Sequence, residues 1–527
     1  GPKLWKASTT TGHRFQHHLP GRNSINGLGS GNEAYFERGE QIESPADLAR
    51  VSRSSRIHHF LTVPLLYRNV VLVCRQEERR PYITLAQMGA LLKPGIAACV
   101  RRLEVVNEKP SGRDRRGEEH GVWAVALVGI ITGMSMLEEF LWNSESMMHP
   151  ILYEALSRHP KLGSLRIIHP LSLHPPPPPS FAPPIVFRNL KSIHLTGLGS
   201  RTTYNWSMSA MPALQVFKVS WRISTRLSAI FPENGPIRGP RSLKELHISN
   251  VVLDIPIQQC LDFLELQKLS LLDCSVGESS SWGEILSAEE KKVTNSGSPA
   301  SVLSSGSGGI TRRSPAPAAR HLKLKSLRIN EVGEHWANFL SSFAGLEELY
   351  ILPSTNVTEE GTVEPFLDAI INSHCSTIRN LRLSTSHSVE RRCASKLVRS
   401  CKGLEEVSLR IPKSEWKFIE ILILFLTRIR VFQLLTTELS SHAEEYEELF
   451  ARRENSENQV AQEGESLLEI FGFGTKWAWV VDRTPCWVDG VDPETGKTEK
   501  RRVKKGHIEQ ISMLSEKVGV WKAEERI

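Results

Sequence analysis

Residues 266–276 read Leu-Gln-Lys-Leu-Ser-Leu-Leu-Asp-Cys-Ser-Val, and the spacing of Leu266, Leu269 and Leu271 recurs along the chain. Each copy carries an apolar residue at its first, fourth and sixth positions. The twelve copies begin at Val100, Leu137, Leu162, Leu190, Leu214, Leu243, Leu266, Leu324, Leu346, Ile378, Leu404 and Ile429. Successive copies begin 22–37 residues apart, except for one step of 58 between Leu266 and Leu324. This near-regular spacing predicts a chain of stacked repeats.

The pattern has a direct physical reading. Because side chains alternate between the two faces of a strand, the fourth and sixth positions point into one core, and the first position packs beneath the strand. A single copy cannot bury its apolar face, so neighbouring copies must stack. Segments with helical spacing lie between copies, for example residues 334–343 and 363–371. The pattern therefore predicts a parallel sheet with helices on one side.

Residues 266–276 resemble the consensus of leucine-rich repeat proteins, in which an Asn or Cys follows the third leucine, as Cys274 does here. Most other copies lack that Asn or Cys, which makes the array irregular. The resemblance implies an α/β leucine-rich-repeat solenoid, a curved parallel sheet with outer helices, over residues 76–440. Residues 277–320 are rich in Ser, Gly, Ala and Pro, and we expect them to form a disordered insertion.

The N-terminal region changes character at Ser44. Residues 1–43 are rich in Gly, Asn and His and are expected to be a disordered tail. Ser44-Pro45-Ala46-Asp47 is a typical helix start, with Ser44 as the N-cap residue and Pro45 in the first turn. Apolar residues downstream predict two short helices, which lead through Leu65-Leu66-Tyr67-Arg68-Asn69-Val70 into a strand.

Residues 44–75 resemble the second half of the F-box of fungal F-box proteins, although the Leu-Pro-x-Glu helix that usually opens that module is absent. The resemblance implies that this segment docks on the Skp-type adaptor of a cullin-RING ubiquitin ligase. The following repeats would then bind a protein substrate. The residues expected to contact the adaptor, or to hold its helices in place, are Leu48, Val51, Leu65 and Leu66. The alternative is a helical cap on a repeat scaffold that has no ubiquitin role.

The residue between the fourth and sixth positions of each copy must face away from the core. From the third copy onward, most of these residues are basic or polar. We predict a substrate-binding ridge formed by Arg166, His194, Lys218, His247, Arg328, Tyr350 and Arg382. A basic ridge suits an acidic or phosphorylated segment, since Arg can grip carboxylate or phosphate through two hydrogen bonds. A solvated face balanced by Glu245 and Glu348 is the alternative.

Composition narrows the functional classes. The chain has 527 residues with 65 Lys and Arg against 58 Asp and Glu, a net charge of +7 that is too weak to argue for nucleic acid. Its eight cysteines contain no Cys-x-x-Cys pair, so we expect no metal site and no disulfide framework. No hydrolase, metalloprotease or phosphate-loop motif is present, and we predict a protein that is not an enzyme and has no catalytic residues or cofactor.

The remaining expectations concern membranes, localisation and the C-terminal end. The longest uncharged apolar run, residues 122–137, is shorter than a membrane span. We therefore expect a protein of the cytoplasm, the nucleus or both, and the basic run at 500–505 is similar to a nuclear-localisation signal. Residues 441–527 are predicted to form an acidic helix and a tryptophan-rich cap with a β-hairpin turning at residues 492–496.

Overall fold

The structure is a computed structural model. Apart from a few isolated positions, it describes residues 44–77, 80–82, 91–108, 120–144, 148–168, 186–198, 211–230, 242–255, 265–277, 322–353, 363–383, 388–415, 428–435, 469–473, 477–481, 486–491, 498–503 and 506–510. The predicted tail at 1–43, nearly all of the predicted insertion and the predicted acidic helix lie outside the described residues. The chain divides into two units, one ending at Leu66 and the other beginning at Tyr67.

The N-terminal unit contains the two short helices expected from the sequence. They are α1 (Pro45–Ser52) and α2 (Arg56–Leu66). Ser44 occupies the N-cap position with extended backbone, but its hydroxyl makes no capping hydrogen bond, contrary to the usual role of an N-cap serine. Asp47 instead pairs with Arg50 at 2.9 Å, one turn along the same helix.

The second unit is built on one long sheet of 18 strands. Its strands, together with those of a separate hairpin, are β1 (Asn69–Glu77), β2 (Arg80–Tyr82), β3 (Arg102–Glu108), β4 (Glu139–Asn143), β5 (Ser164–Ile168), β6 (Ser192–Leu198), β7 (Val216–Arg226), β8 (Glu245–Leu253), β9 (Lys268–Leu272), β10 (Ser275–Val276), β11 (Ser326–Ile329), β12 (Glu348–Ile351), β13 (Asn380–Arg382), β14 (Glu406–Leu409), β15 (Val431–Leu434), β16 (Ile470–Phe473), β17 (Trp477–Val481), β18 (Cys486–Val491), β19 (Thr498–Val503) and β20 (Gly506–Gln510).

Strand pairing follows chain order with one short detour. From β1 and β3 through β9, and then from β11 to β16, each strand pairs in parallel with the next. The short β10 pairs with β8, so the chain resumes at β11 directly beside β9 despite the long step between those two copies. Each of the twelve sequence copies therefore supplies one strand, and the predicted leucine-rich-repeat architecture is confirmed.

The C-terminal strands reverse direction. Strand β17 pairs antiparallel with both β16 and β20, and β18 and β19 form a separate antiparallel hairpin. The parallel array is therefore followed by an antiparallel addition.

Helices connect many of the strands. In the described part of the second unit they are α3 (Pro94–Ala97), α4 (His120–Gly133), α5 (Pro150–Ser157), α6 (Leu227–Ile230), α7 (Glu334–Ser341), α8 (Val363–His374) and α9 (Arg391–Ser400). The helical segments predicted at 334–343 and 363–371 correspond to α7 and α8. Buried helix residues such as Leu340 and Ile370 join strand residues such as Leu349 in a single continuous core.

Strand β5 illustrates the burial rule. Leu165 and Ile167 are fully buried at the fourth and sixth positions, while Arg166 between them is exposed. The same alternation places the central residue of the other copies on the sheet face opposite the continuous core.

His374, at the end of α8, forms hydrogen bonds to the neighbouring repeat. Its Nδ1 accepts a hydrogen bond from the backbone N–H of Leu346 at 3.3 Å, and its Nε2 donates to the carbonyl of Leu340 at 3.0 Å. Burial lowers the pKa of His374 to about 4, so the neutral ring is the form that the fold holds.

We predict that His374 makes the fold sensitive to acid. In the unfolded chain the ring binds a proton below about pH 6.5, whereas in the folded chain it does so only near pH 4. Stability therefore falls as the pH drops through this window, by roughly 2–3 kcal/mol from this one group. His374→Gln keeps a donor and an acceptor but cannot titrate. Urea unfolding at pH 8 and pH 4.5 should show a smaller acid-induced loss in this variant, and equal losses in both proteins would contradict the assignment.

Candidate partner-binding face of the sheet

The structure aligns the predicted ridge residues in one line across the sheet. We call this line the central row. Its members are register partners from each strand to the next: Glu104, Leu141, Arg166, His194, Lys218, His247, Ser270, Arg328, Tyr350, Arg382, Ser408 and Gln433. Adjacent strands lie about 4.8 Å apart, so residues from copies far apart in sequence become direct neighbours.

Exposure divides the central row. Arg166 is exposed, and His194, Lys218 and Arg328 are half-buried. Tyr350 and Arg382, in contrast, are only 2% and 1% exposed. The expectation that all seven ridge residues face solvent is therefore wrong for these two, and also for His247.

The physical reason is that the C-terminal part of this face is covered. Leu352, Val431, Leu435 and Ile470 are buried there but lie outside the continuous core on the helix side. Strand alternation determines which face a residue occupies, but it does not reveal whether that face meets water.

Buried polar groups in the covered part are held by one another. Arg382 Nη1 and Ser408 Oγ both donate to Gln433 Oε1, at 3.4 and 2.7 Å. Asn380 Nδ2 donates to the hydroxyl of Tyr350 at 3.3 Å. Burial lowers the pKa of Arg382 to about 10. These contacts give Arg382 a structural role in holding β13 to β15.

The part of the row from β5 to β11 forms what we call the cationic surface: Arg166, His194, Lys218 and Arg328 are at least partly exposed, and the buried His247 lies among them. Arg328 closes it at one end, with its guanidinium 5.4 Å from the centre of the Tyr350 ring. Burial, reinforced by the charges of Lys218 and Arg166, lowers the pKa of His194 to about 4. Burial also lowers the pKa of Lys218, and repulsion from Arg328 adds to this effect. The positive charge of this surface therefore comes from Arg166, Lys218 and Arg328 rather than from the histidines.

Glu245, one of the two acids named in the balanced-face alternative, already forms an ion pair with Lys268. Its carboxylate lies 2.8 Å from Lys268 Nζ and 3.8 Å from His247 Nε2. These two neighbours, His247 first, hold its pKa at about 2 against the opposing effect of burial. Lys268 therefore matches the charge of Glu245, although the carboxylate also acts on Lys218, whose pKa it raises.

Hydroxyl groups flank the cationic surface on both sides, a feature that the sequence analysis missed. Ser164 and Ser192 are register partners two residues before the central row. Thr196, Ser220 and Ser249 are register partners two residues after it. The signal was available in the sequence, since residues at i−2 and i+2 in a strand share the face of residue i. Cations bordered by hydroxyl donors form a surface suited to anionic oxygens.

The residues predicted to contact an adaptor do not form a common exposed surface. Leu48 is buried, and Val51, Leu65 and Leu66 are half-buried. Among the described residues of this unit, the exposed large apolar side chains are Ile57 and Phe60, at 71% and 79% exposure. With the exposed Pro64 they follow helical spacing along α2, and we call these three residues the α2 stripe.

The described residues show neither a metal-binding cluster nor a membrane-spanning helix. Within those ranges, no three His, Cys, Asp or Glu residues are grouped so that they could hold a metal ion. In the same part of the chain, no helix combines the length and apolar character that a membrane span requires.

Comparison with known proteins adds a similarity in fold. No family model matches the chain, and no curated protein sequence matches it. A solved structure of a leucine-rich repeat protein from Leptospira interrogans is similar over 74% of this chain and 90% of that chain, at 12% identity and a TM-score of 0.28. That likeness is too weak to carry an argument, so the fold rests on the strand register itself.

Because Arg166 is exposed and Arg382 is buried, we predict that the same substitution has different effects on stability at these two positions. Arg382→Glu should destabilise the protein by about 3–5 kcal/mol, because it places an unmatched carboxylate in a buried network. Arg166→Glu, on an exposed position of the same row, should change stability by less than about 0.5 kcal/mol. Urea unfolding of both variants measures the difference, and similar losses would show that the two ends of the row do not differ in burial.

Proposed function

We propose that the repeat unit binds a protein partner through the cationic surface, and that the recognised segment is acidic or phosphorylated. The observation that carries this proposal is the register of Arg166, His194, Lys218, His247 and Arg328, on a face whose nearby acid Glu245 is matched by Lys268. Stacked repeats commonly present such extended surfaces to their partners.

The dimensions of the surface fit an extended peptide. From β5 to β11 there are five steps between neighbouring strands, or about 24 Å. An extended chain rises about 3.3 Å per residue, so roughly seven residues would cross the surface. Acidic side chains along that segment would meet Arg166 near one end and Arg328 at the other.

Removal of the charges should weaken binding of such a peptide. The triple variant Arg166→Gln, Lys218→Gln, Arg328→Gln should bind an acidic seven-residue probe about 10- to 100-fold more weakly, since each lost surface charge contributes roughly 0.5–1 kcal/mol. Fluorescence anisotropy at two salt concentrations measures the affinity and its dependence on charge.

The matched control removes three exposed charges outside the strands, Arg188→Gln, Arg392→Gln and Lys402→Gln. It changes the net charge by the same amount and should leave the affinity unchanged. If both triple variants lose affinity equally, the binding follows overall charge, and the cationic surface is not the site.

We further propose that the N-terminal unit docks on a Skp-type adaptor, which would make the chain the substrate-recognition subunit of a Skp-cullin-F-box ubiquitin ligase. The α2 stripe supports this proposal, since exposed Ile57 and Phe60 on one short helix are typical of a surface that a partner covers. Leu48, Val51, Leu65 and Leu66 would support the helices rather than supply the main contact. Ligase chemistry would then come from other subunits, in the cytoplasm, the nucleus or both.

The adaptor proposal predicts a selective loss. Ile57→Asp with Phe60→Asp should abolish co-purification with a co-expressed adaptor and cullin, because buried interface anchors commonly contribute 2 kcal/mol or more each. Stability should change little, since both side chains are exposed in the free chain. The control Val125→Asp changes another exposed apolar residue, on α4, and should retain the adaptor.

The scaffold alternative makes the opposite prediction. If the unmodified chain fails to recover adaptor and cullin while still binding the acidic probe, the protein is a repeat scaffold without a ubiquitin role.

A further inference from the structure

Three buried polar atoms without hydrogen-bond partners lie at neighbouring positions in the middle of the cationic surface. They are Nδ1 and Nε2 of His247 and Oγ of Ser270. His247 is 5% exposed and Ser270 is 0% exposed, and the two are register partners on β8 and β9. Glu245 approaches His247 Nε2 at 3.8 Å, an ion-pair contact that is longer than a hydrogen bond.

Such groups are costly unless something satisfies them. A buried polar atom left without a partner destabilises a fold by about 1–3 kcal/mol, and most buried polar atoms therefore have one. Ser408 occupies the same row on β14, is equally buried, and donates to Gln433 at 2.7 Å. The row can therefore satisfy a buried serine internally, and it does not do so at Ser270.

The unsatisfied atoms lie between two cations. Lys218 is the register partner of His247 on one side, and Arg328 is the register partner of Ser270 on the other. Both charges act on His247, since each lowers the pKa of its ring alongside the dominant effect of burial. Four neighbouring strands thus place an ammonium, an imidazole, a hydroxyl and a guanidinium at successive positions of one row.

We propose that His247, Ser270, Lys218 and Arg328 form a binding site for a phosphate-type oxyanion. A phosphate group presents three terminal oxygens, each able to accept hydrogen bonds from a different strand, and its charge near −2 matches Lys218 and Arg328. A carboxylate offers two oxygens and one charge, and would leave a donor unsatisfied. This inference rests on the proposed function and deepens it, because it names the group that the partner segment would present.

The same chemistry has two sources, a phosphorylated side chain on a partner protein or a free phosphate compound. To distinguish these sources, the full chain is mixed separately with inorganic phosphate, a seven-residue phosphoserine peptide, the matched serine peptide and the matched glutamate peptide. Thermal unfolding and calorimetry are measured at constant ionic strength, with chloride as the reference anion.

Ser270→Ala provides the decisive variant. Without phosphate its melting temperature should equal or exceed that of the unmodified chain, because no hydrogen bond is lost. Its affinity for phosphate should fall about tenfold, the effect of one hydrogen bond to a charged group. The control Ser408→Ala loses a hydrogen bond to Gln433, so it should melt at a lower temperature and keep its phosphate response.

The outcomes separate the sources and the proposals. A phosphoserine peptide that binds at least tenfold more tightly than inorganic phosphate supports a phosphorylated protein segment. Equal binding of the two supports a site for a free phosphate compound. If phosphate gives no stabilisation beyond chloride, or Ser270→Ala retains it, the phosphate site is overturned. If the phosphate site is overturned but the glutamate peptide binds the unmodified chain as tightly as the phosphoserine peptide does, the proposed function still stands.

Discussion

The rest of the structure depends on one constraint, which is that no single repeat can bury its own apolar face. Leu349 and Ile351 of β12 reach zero exposure only because they pack within a core shared with helices and with neighbouring strands. Stacking satisfies this need and the backbone hydrogen bonds of each strand at the same time. The unbroken parallel register follows, and with it the alignment of one residue from every copy.

Because of that alignment, side chains from different repeats change one another's charge and pKa. An arginine on an isolated strand would be an ordinary solvated charge, but Arg166 and Lys218 lie two strands apart with His194 between them. Their proximity lowers the pKa of the histidine to about 4, after the larger effect of burial. The histidines of the cationic surface are therefore neutral donors at pH 7, and Arg166 and Arg328 carry permanent charge. Glu245 forms an ion pair with Lys268, so part of its negative charge is already matched.

Polar side chains are buried in two parts of the central row, and the two parts differ in their hydrogen bonds. Toward the C-terminal end, Arg382, Ser408 and Gln433 form internal hydrogen bonds and hold strands together. Toward the middle, the polar atoms of His247 and Ser270 have no such bonds. Ser408 and Ser270 share row, residue type and burial, but only Ser408 has a hydrogen-bond partner within the protein.

The sequence by itself determined the repeat, the strand of every copy and the identity of the central row, because a period of two and a repeat near 25 residues leave only one way to bury the leucines. It also placed α1 and α2 correctly from turn chemistry and apolar spacing. Only the tertiary structure decided that Tyr350 and Arg382 are buried, that Ile57 and Phe60 are exposed, and that Glu245 is committed to Lys268. Those properties depend on what lies against each face, and residues distant in sequence supply it.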